Sequence, residues 1–538
     1  MWWHSTSINY ARSGVIMDRF LIEQMLDPQI YPEPTKTVSH LQTHISHLFL
    51  TDLHVYKIKK PVDFGFLDFT TLEKRRFYCY EELRLNRRLS PDIYLGVVEL
   101  RDAGSGVICF GGDGQLLEYA VKMVRMPEAR MMSRLLELGQ VSRADIDAIA
   151  VKVAHFHGNA DQGNGIELFG TVEVIKTNWL ENLCQATPYI GRTLTASDLH
   201  LIGEWALQRL EDDRLLFQGR IQDGFIRECD GDLHSENICL DGQVHIFDCI
   251  EFNEKFRYSD TAADVAFLAM DLENHGRCDL AERFVEQYCE LSGDSDLRQV
   301  LPLYLTNRAF IRGKVESFRL DDPQISDQEK KAAHQRSQRF FRLARGYVVR
   351  ERLPKTLFLT CGPTGCGKSA VAEELAFQLG VQQFSSDRER KQLAGVELSD
   401  HGAEIYSADW NEATYQRLFE LAQEQLDAGN SVIVDATFRQ EVDRNCFVKM
   451  GEAVGAAVVI LYLDCPADLA RQRLEQRNTR TDAVSDGTWQ VYQRQINDFE
   501  IPRGEEGFLV SLDATKTPCE MVEKIMQALM LIPLESGV

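Results

Sequence analysis

The stretch TLFLTCGPTGCGKSAVAEELAFQLG, Thr356 to Gly380, constrains the fold more than any other part of the chain. An apolar run suited to a buried strand breaks at a glycine-rich turn and resumes as a helix-like segment. Gly362, Gly365 and Gly367 let the backbone curl and aim its N–H groups inward. A helix that starts at the loop adds the positive end of its dipole. Strand, loop and helix in this order cradle phosphate. Gly362, Pro363, Thr364, Gly365, Cys366, Gly367, Lys368 and Ser369 are therefore expected to hold ATP. Lys368 reaches the outer phosphates and serves transfer, and the Ser369 hydroxyl ligates Mg2+. The alternative is a glycine turn without a ligand, and the matching context argues against it.

The same alternation continues downstream. VQQFSSD, SVIVDATF, AAVVILYLDCP and GFLVSLDAT read as further strands, each followed by a helical pattern, which indicates a parallel sheet covered on both faces. SVIVDATF supplies an apolar strand ending in Asp435, a carboxylate placed to hold magnesium. Ala436 follows it, where many ATP-driven motors carry a glutamate that activates water. That substitution favours phosphoryl transfer to an acceptor over mechanical hydrolysis. In Ser386-Asp387-Arg388-Glu389-Arg390, Asp387 is expected to accept a proton from a substrate hydroxyl, and Arg390 to steady the substrate or the transferring group. A helix-capping aspartate with a surface arginine is the plainer reading. RQRLEQRNTR, Arg471 to Arg480, is either a solvated helix face or a lid whose Arg477 and Arg480 close over the phosphates.

On GPTGCGKS, DRER, VIVDATF and RLEQR, the segment from Thr356 onward resembles the small P-loop kinases, including the gluconate kinase, chloramphenicol phosphotransferase, polynucleotide 5′-kinase and zeta-toxin relatives. The resemblance implies a five-stranded parallel sheet and ATP-dependent phosphorylation of a hydroxyl.

A second constellation lies upstream, in DGDLHSENICLDGQVHIFD, Asp230 to Asp248. Asp232 and Asn237 share a short loop, and a short apolar strand ends in Asp248. Phosphoryl transfer needs a carboxylate to take the acceptor proton and oxygen ligands for magnesium, and these residues supply both. The D-G-D string also allows a calcium loop, but the remaining spacing of that motif is absent. The stretch resembles the catalytic segment of aminoglycoside and choline phosphotransferases, which share the protein-kinase-like fold. The resemblance implies that Asp232 is the base and that Asn237 and Asp248 hold the metal. Asp230 stands where the family pattern has histidine, and is expected to raise the pKa of Asp232.

The preceding elements come in a matching order. HLFLTDLHVYKIKK reads as two strands and TLEKRRFYCYEELRLNRRL as a helix. YLGVVEL, GVICF and LEYAVKMV then read as three strands. Under the kinase-like reading, Lys57 contacts the ATP phosphates and Glu82, rather than Glu81, pairs with it. Lys59 and Lys122 are rival lysines, and Lys122 comes after the helix. No G-x-G-x-x-G loop joins the first strands. Asp264 is expected to brace the catalytic loop, and Arg308 and Arg312 share a helical face that is either solvated or turned to an anionic substrate. The wider segment, with VYKIKKPVDFGFLDF and ELRLNRRLSPDIYLGVV, resembles bacterial proteins that fuse an aminoglycoside-phosphotransferase-like domain to a zeta-toxin/gluconate-kinase-like P-loop kinase.

At 538 residues the chain exceeds one core. The expected division is a bilobal α+β protein-kinase-like domain over 1–350 and an α/β P-loop kinase domain over 351–538. The first has a small lobe at about 30–126 and a helical lobe at about 127–350, with a linker at Arg350–Lys355. A net charge of -23 opposes long nucleic-acid backbones. It leaves a small hydroxyl-bearing molecule as the expected substrate. Cys229, Cys239 and Cys249 recur at equal spacing, and Cys361 and Cys366 bracket the glycine loop. Scattered reduced thiols of a cytoplasmic protein are the simpler reading. No apolar run is long enough for a membrane helix, and Met17 opens the first regular segment. The function expected is a two-site ATP- and Mg2+-dependent phosphotransferase acting on small-molecule hydroxyls. The alternatives are a P-loop kinase regulated by a non-catalytic nucleotide-binding N-terminal domain, or a polynucleotide 5′-kinase.

Overall fold

The computed structural model describes residues 19–104, 106–323, 325–396, 405, 407–477 and 487–530. Met17, Arg480, Asp482 and Asp486 lie outside them. The chain forms two compact units. One takes the described residues up to Asn182, with Ala206–His275 and Leu280–Arg308. The other takes Leu183–Trp205, Gly276–Asp279 and the described residues from Ala309 onward.

The first unit opens on a six-stranded sheet made of β1 (Ser39–Gln42), β2 (Ser46–Leu50), β3 (His54–Lys59), β4 (Tyr94–Asp102), β5 (Ile108–Phe110) and β6 (Gln115–Val124), in the order β1-β2-β3-β6-β4-β5. Every pairing is antiparallel. β1 was not legible in the sequence, and its residues are mostly exposed. In β3 the side chains alternate between faces. Tyr56 and Ile58 enter a core with Met25, Tyr31 and Phe49. Val55 packs on the other face, with Cys79, Tyr94 and Val121. That period of two sends both Lys57 and Lys59 toward the same face as Val55. The helix Leu72–Asn86 covers this face. Thr71 caps it by accepting the N–H of Lys74.

Downstream, β7 (Ile226–Glu228) pairs with β10 (Tyr258–Asp260), and β8 (Ile238–Leu240) forms a hairpin with β9 (Val244–Ile246). The hairpin register, Ile238 opposite Ile246, brings the residues flanking its open end together. The helix Thr261–Asn274 follows, capped by Asp260 and buried from Thr261 through Glu273.

The second unit holds five parallel strands: β11 (Thr356–Cys361), β12 (Gln382–Ser385), β13 (Val432–Asp435), β14 (Ala457–Asp464) and β15 (Phe508–Asp513). Their order is β12-β13-β11-β14-β15. All five match the strands read from sequence. Both sheet faces are packed. Val371, Leu375, Val522 and Ile525 cover one side, and Leu418, Phe447 and Phe438 the other. The helix Asp327–Arg352 extends into the expected linker and adds Val349 to the first of these cores. Its Gly346 lies against the backbone of Gln378, at the end of the helix Lys368–Leu379. No helix among the described residues is long and apolar enough to cross a membrane.

Candidate active sites

In the first unit, residues far apart in sequence meet where β3, the helix Leu72–Asn86 and the segment after β9 come together. Lys57 Nζ lies 2.8 Å from Glu82 Oε1 and 2.6 Å from Asp248 Oδ1. Burial opposes the charge on Lys57, but Asp248 and Glu82 outweigh it and raise its pKa. Burial likewise opposes the charge on Glu82, yet Lys57 and Lys59 hold that carboxyl down at about 2. Glu81 bonds Arg84 instead. Lys59, the nearer rival, reaches the other oxygen of Glu82 at 2.7 Å and also pairs with Glu251. Lys122 pairs with Glu33 at 2.9 Å and lies over the Tyr56 ring, away from this group.

The loop after β7 carries Asp232 and Asn237. Asn237 Nδ2 donates to Asp232 O at 3.0 Å and to Asp232 Oδ2 at 3.1 Å. The backbone oxygen of Asn237 accepts the N–H of Phe247, directly before Asp248. Asp248 itself has φ +66, a conformation aspartate tolerates better than most side chains. Its N–H donates to Tyr94 Oη at 3.1 Å, and the N–H of Cys249 donates to Asn86 Oδ1 at 2.9 Å. Asp248 is thus fixed at the backbone while its side chain remains 48% exposed. Asp248 and Asn237 supply the hard oxygen donors that magnesium prefers, so the donor set fits that ion.

Asp264 braces the loop. Its two carboxylate oxygens accept the N–H groups of Asp230 (2.7 Å) and Gly231 (2.9 Å). Its own pKa is lowered, because hydrogen bonding from His157, followed by the charges of His157 and Arg308, outweighs burial. His157 is held from its other ring nitrogen by Tyr288. Arg308 bonds the backbone of Ala263 and Gly231 from below, so it supports the loop rather than facing a substrate. Arg312 lies over the Phe340 ring. Asp230 is itself buried. Its side chain turns inward, and burial and then Asp264 push its own pKa well above the usual carboxylate range. An inward, buried Asp230 also removes the calcium-loop reading.

The cysteines are free among the described residues. Burial pushes the thiols of Cys229 and Cys249 well up, that of Cys239 to about 11 and that of Cys361 to about 12. Thiols of this kind are poor nucleophiles.

In the second unit the glycine loop has the conformation its sequence requires. Gly362, Gly365 and Gly367 have φ of +152, +82 and +100, a range glycine enters without a Cβ penalty. Lys368 Nζ folds back to Pro363 O at 3.0 Å. Asp435 is buried at the end of β13. Burial raises its pKa, opposed by Lys368, by a hydrogen bond with Ser369 and by Thr360, whose Oγ1 donates at 3.0 Å. Ser369 and Asp435 therefore face one another, as oxygen donors to one ion must. Asp387 adds to the upward push on Asp435, which puts its charge on the same site. Arg390 Nη1 donates to Asp387 at 3.1 Å and Nη2 to Asn411 at 3.0 Å.

Of the arginine-dense run, the helix Ala467–Arg477 is described and Arg480 is not. Arg473, which sequence reasoning did not single out, donates to Cys366 O at 2.9 Å and to Ala514 O at 2.8 Å, fastening the loop from outside. Arg477 donates to Gly487 O at 2.6 Å, and Gly487 backs onto Thr364 of the loop. The N–H of Thr364 donates to Gln495 Oε1 at 2.7 Å, a contact no sequence pattern announced.

Residues 357–502 match a family model described as AAA domain. The protein Rv2004c of Mycobacterium tuberculosis (strain ATCC 25618 / H37Rv) is 31% identical over 463 residues, covering 85% of this chain and 90% of that one. Mb2027c of Mycobacterium bovis aligns with the same figures, and both carry the description uncharacterized protein. Among solved structures, a gluconokinase from Sinorhizobium meliloti 1021 is 20% identical, covers 33% of this chain and 92% of its own, and gives a TM-score of 0.26. The Mycobacterium tuberculosis APS kinase CysC, in complex with AMPPNP and APS, is 19% identical, covers 33% and 98%, and gives 0.26. The P-loop assignment of the second unit rests on its strand order, its loop and the family model.

Proposed function

For this chain, which belongs to the family of the mycobacterial proteins Rv2004c and Mb2027c, we propose a two-site ATP-dependent phosphotransferase that acts on hydroxyl groups of small molecules. The observation that carries the two-site reading is the meeting of Lys57, Glu82 and Asp248 in the first unit, beside a loop that joins Asp232 to Asn237. These are the residue types phosphoryl transfer needs, and they lie in a unit distinct from the P-loop.

At the first site Asp248 and Asn237 would hold magnesium, and Lys57 would meet the phosphates while Glu82 keeps it oriented. Asp232 takes the proton of the acceptor hydroxyl. At the second site the loop N–H groups and Lys368 bind the phosphates, Ser369 and Asp435 would hold magnesium, Asp387 takes the acceptor proton and Arg390 steadies Asp387. Magnesium, when bound, neutralises phosphate charge at both sites. The net charge disfavours a polynucleotide acceptor.

Labelled ATP offered with a metabolite extract tests this reading. Asp232→Asn and Asp387→Asn should each keep ATP binding and each lose one labelled product or one step, by about 10²–10⁴-fold, the usual cost of removing a general base. Undiminished labelling in both variants would refute the assignment of both bases.

A further inference from the structure

The ion pairs of the first site form a circuit. From Asp248 they run to Lys57, on to Glu82, then to Lys59, and end at Glu251, three residues from the start. Carboxylates and ammonium groups alternate along it. Three of the first against two of the second leave one negative charge. Lys59, Glu82 and Glu251 are buried, Lys57 is nearly so, and Asp248 is the exposed end. The Lys59 ammonium also lies 4.9 Å from the centre of the Phe69 ring.

The Lys57–Glu82 pair has a task in the function proposed above. The Lys59–Glu251 pair has none there, and two further buried charges are costly to desolvate unless something requires them. Geometry supplies that requirement. Lys59 occupies Oε2 of Glu82, which leaves Oε1 for Lys57. Glu251 anchors the far end of the segment that begins at Asp248. The Glu251 charge also keeps the circuit one short of neutrality. Without it, two ammonium groups would balance Glu82 and Asp248, and Lys57 alone would satisfy Asp248.

We propose that Lys59 and Glu251 are a positioning pair. They aim Glu82 at Lys57, hold the segment carrying Asp248, and leave Asp248 with an uncompensated charge for a divalent cation. This rests on reading the first unit as a nucleotide site.

The test uses the full chain carrying Lys368→Ala, so that remaining nucleotide binding reports on the first unit. ATP is titrated by calorimetry with magnesium and with chelator, and melting is followed in parallel. Replacing the pair with Lys59→Met plus Glu251→Met swaps one buried charge of each sign for apolar groups of similar volume, which is often neutral for stability. It leaves the circuit one negative, so it tests the aiming of Glu82 and the hold on the Asp248 segment. We expect unchanged melting and unchanged ATP affinity in chelator, but at least tenfold loss of the affinity gained from magnesium. Glu251→Gln, which keeps the shape and alone brings the circuit to neutrality, should show the same loss, and it stands as the test if the double variant fails to fold. A magnesium gain that survives in both variants while Asp248→Ala abolishes it overturns the inference alone. No ATP binding in the Lys368→Ala chain, or binding indifferent to Asp248→Ala, overturns the nucleotide reading and the inference with it.

Discussion

Asp264 Oδ1 accepts the backbone N–H of Gly231 at 2.9 Å, and its other oxygen accepts that of Asp230 at 2.7 Å. One buried side chain thus sets the path of the loop that carries Asp232. Gly231 has φ +88, and a Cβ there would meet Phe256 O at 2.8 Å, so the loop is confined from both sides.

Asp264→Ala should leave two buried N–H groups without a partner. Each such loss costs about 1–3 kcal/mol. Denaturant unfolding should show the first unit destabilised by several times the thermal energy, and Asp264→Asn, which keeps one acceptor, by less. Wild-type stability in Asp264→Ala would mean the brace carries no weight.

Asp230 makes the first unit sensitive to pH in a defined direction. Burial, followed by Asp264, raises its folded pKa, while the unfolded carboxyl ionises near about 4. The stabilisation from its protonated form is complete below the unfolded value. It is lost as pH rises toward the folded one. Asp230→Asn is neutral throughout and still offers an oxygen to the N–H of Asp232, which sits at 3.1 Å. Its melting temperature should therefore gain on the wild type as pH rises above about 4, the unfolded value. A difference that stays flat with pH contradicts this account.

Gly346 lets the helix Asp327–Arg352 touch the end of the P-loop helix. A Cβ at that position would lie 1.4 Å from Gln378 O, a backbone atom that cannot step aside. Gly346→Ala should destabilise the second unit by about 3 kcal/mol or more, as overpacking does. Gly219, in the helix Arg214–Gln222, has open space around its Cβ position. Gly219→Ala should instead stabilise by roughly 0.5–1 kcal/mol. Equal melting shifts for the two would remove the steric argument.

How much of this was legible in the sequence follows the range of each interaction. The P-loop strand, turn and helix are local, and the period of β3 places Lys57 on the helix-facing side. Asp232, Asn237 and Asp248 are separated by one hairpin, so their spacing survived as a readable pattern. Glu251 did not stand out, because it sits in a loop and its partner Lys59 lies 192 residues away. Arg308 read as part of a basic face, since a helical pattern does not show what packs beneath it. Arg473 belonged to an arginine run that suggests a solvated face or a lid. Its actual partners, Cys366 O and Ala514 O, are backbone atoms that no residue pattern encodes. Asp230 was visible as an added charge, but only its burial reveals that its own pKa is pushed up.

The number of ATP molecules bound per chain tests the central claim most directly. Calorimetry of the full chain with magnesium should give two sites. Lys368→Ala should leave one, Asp248→Ala should leave the other as the one magnesium-dependent site, and the two together no magnesium-dependent site. A single site that Lys368→Ala abolishes and Asp248→Ala leaves untouched would contradict the account.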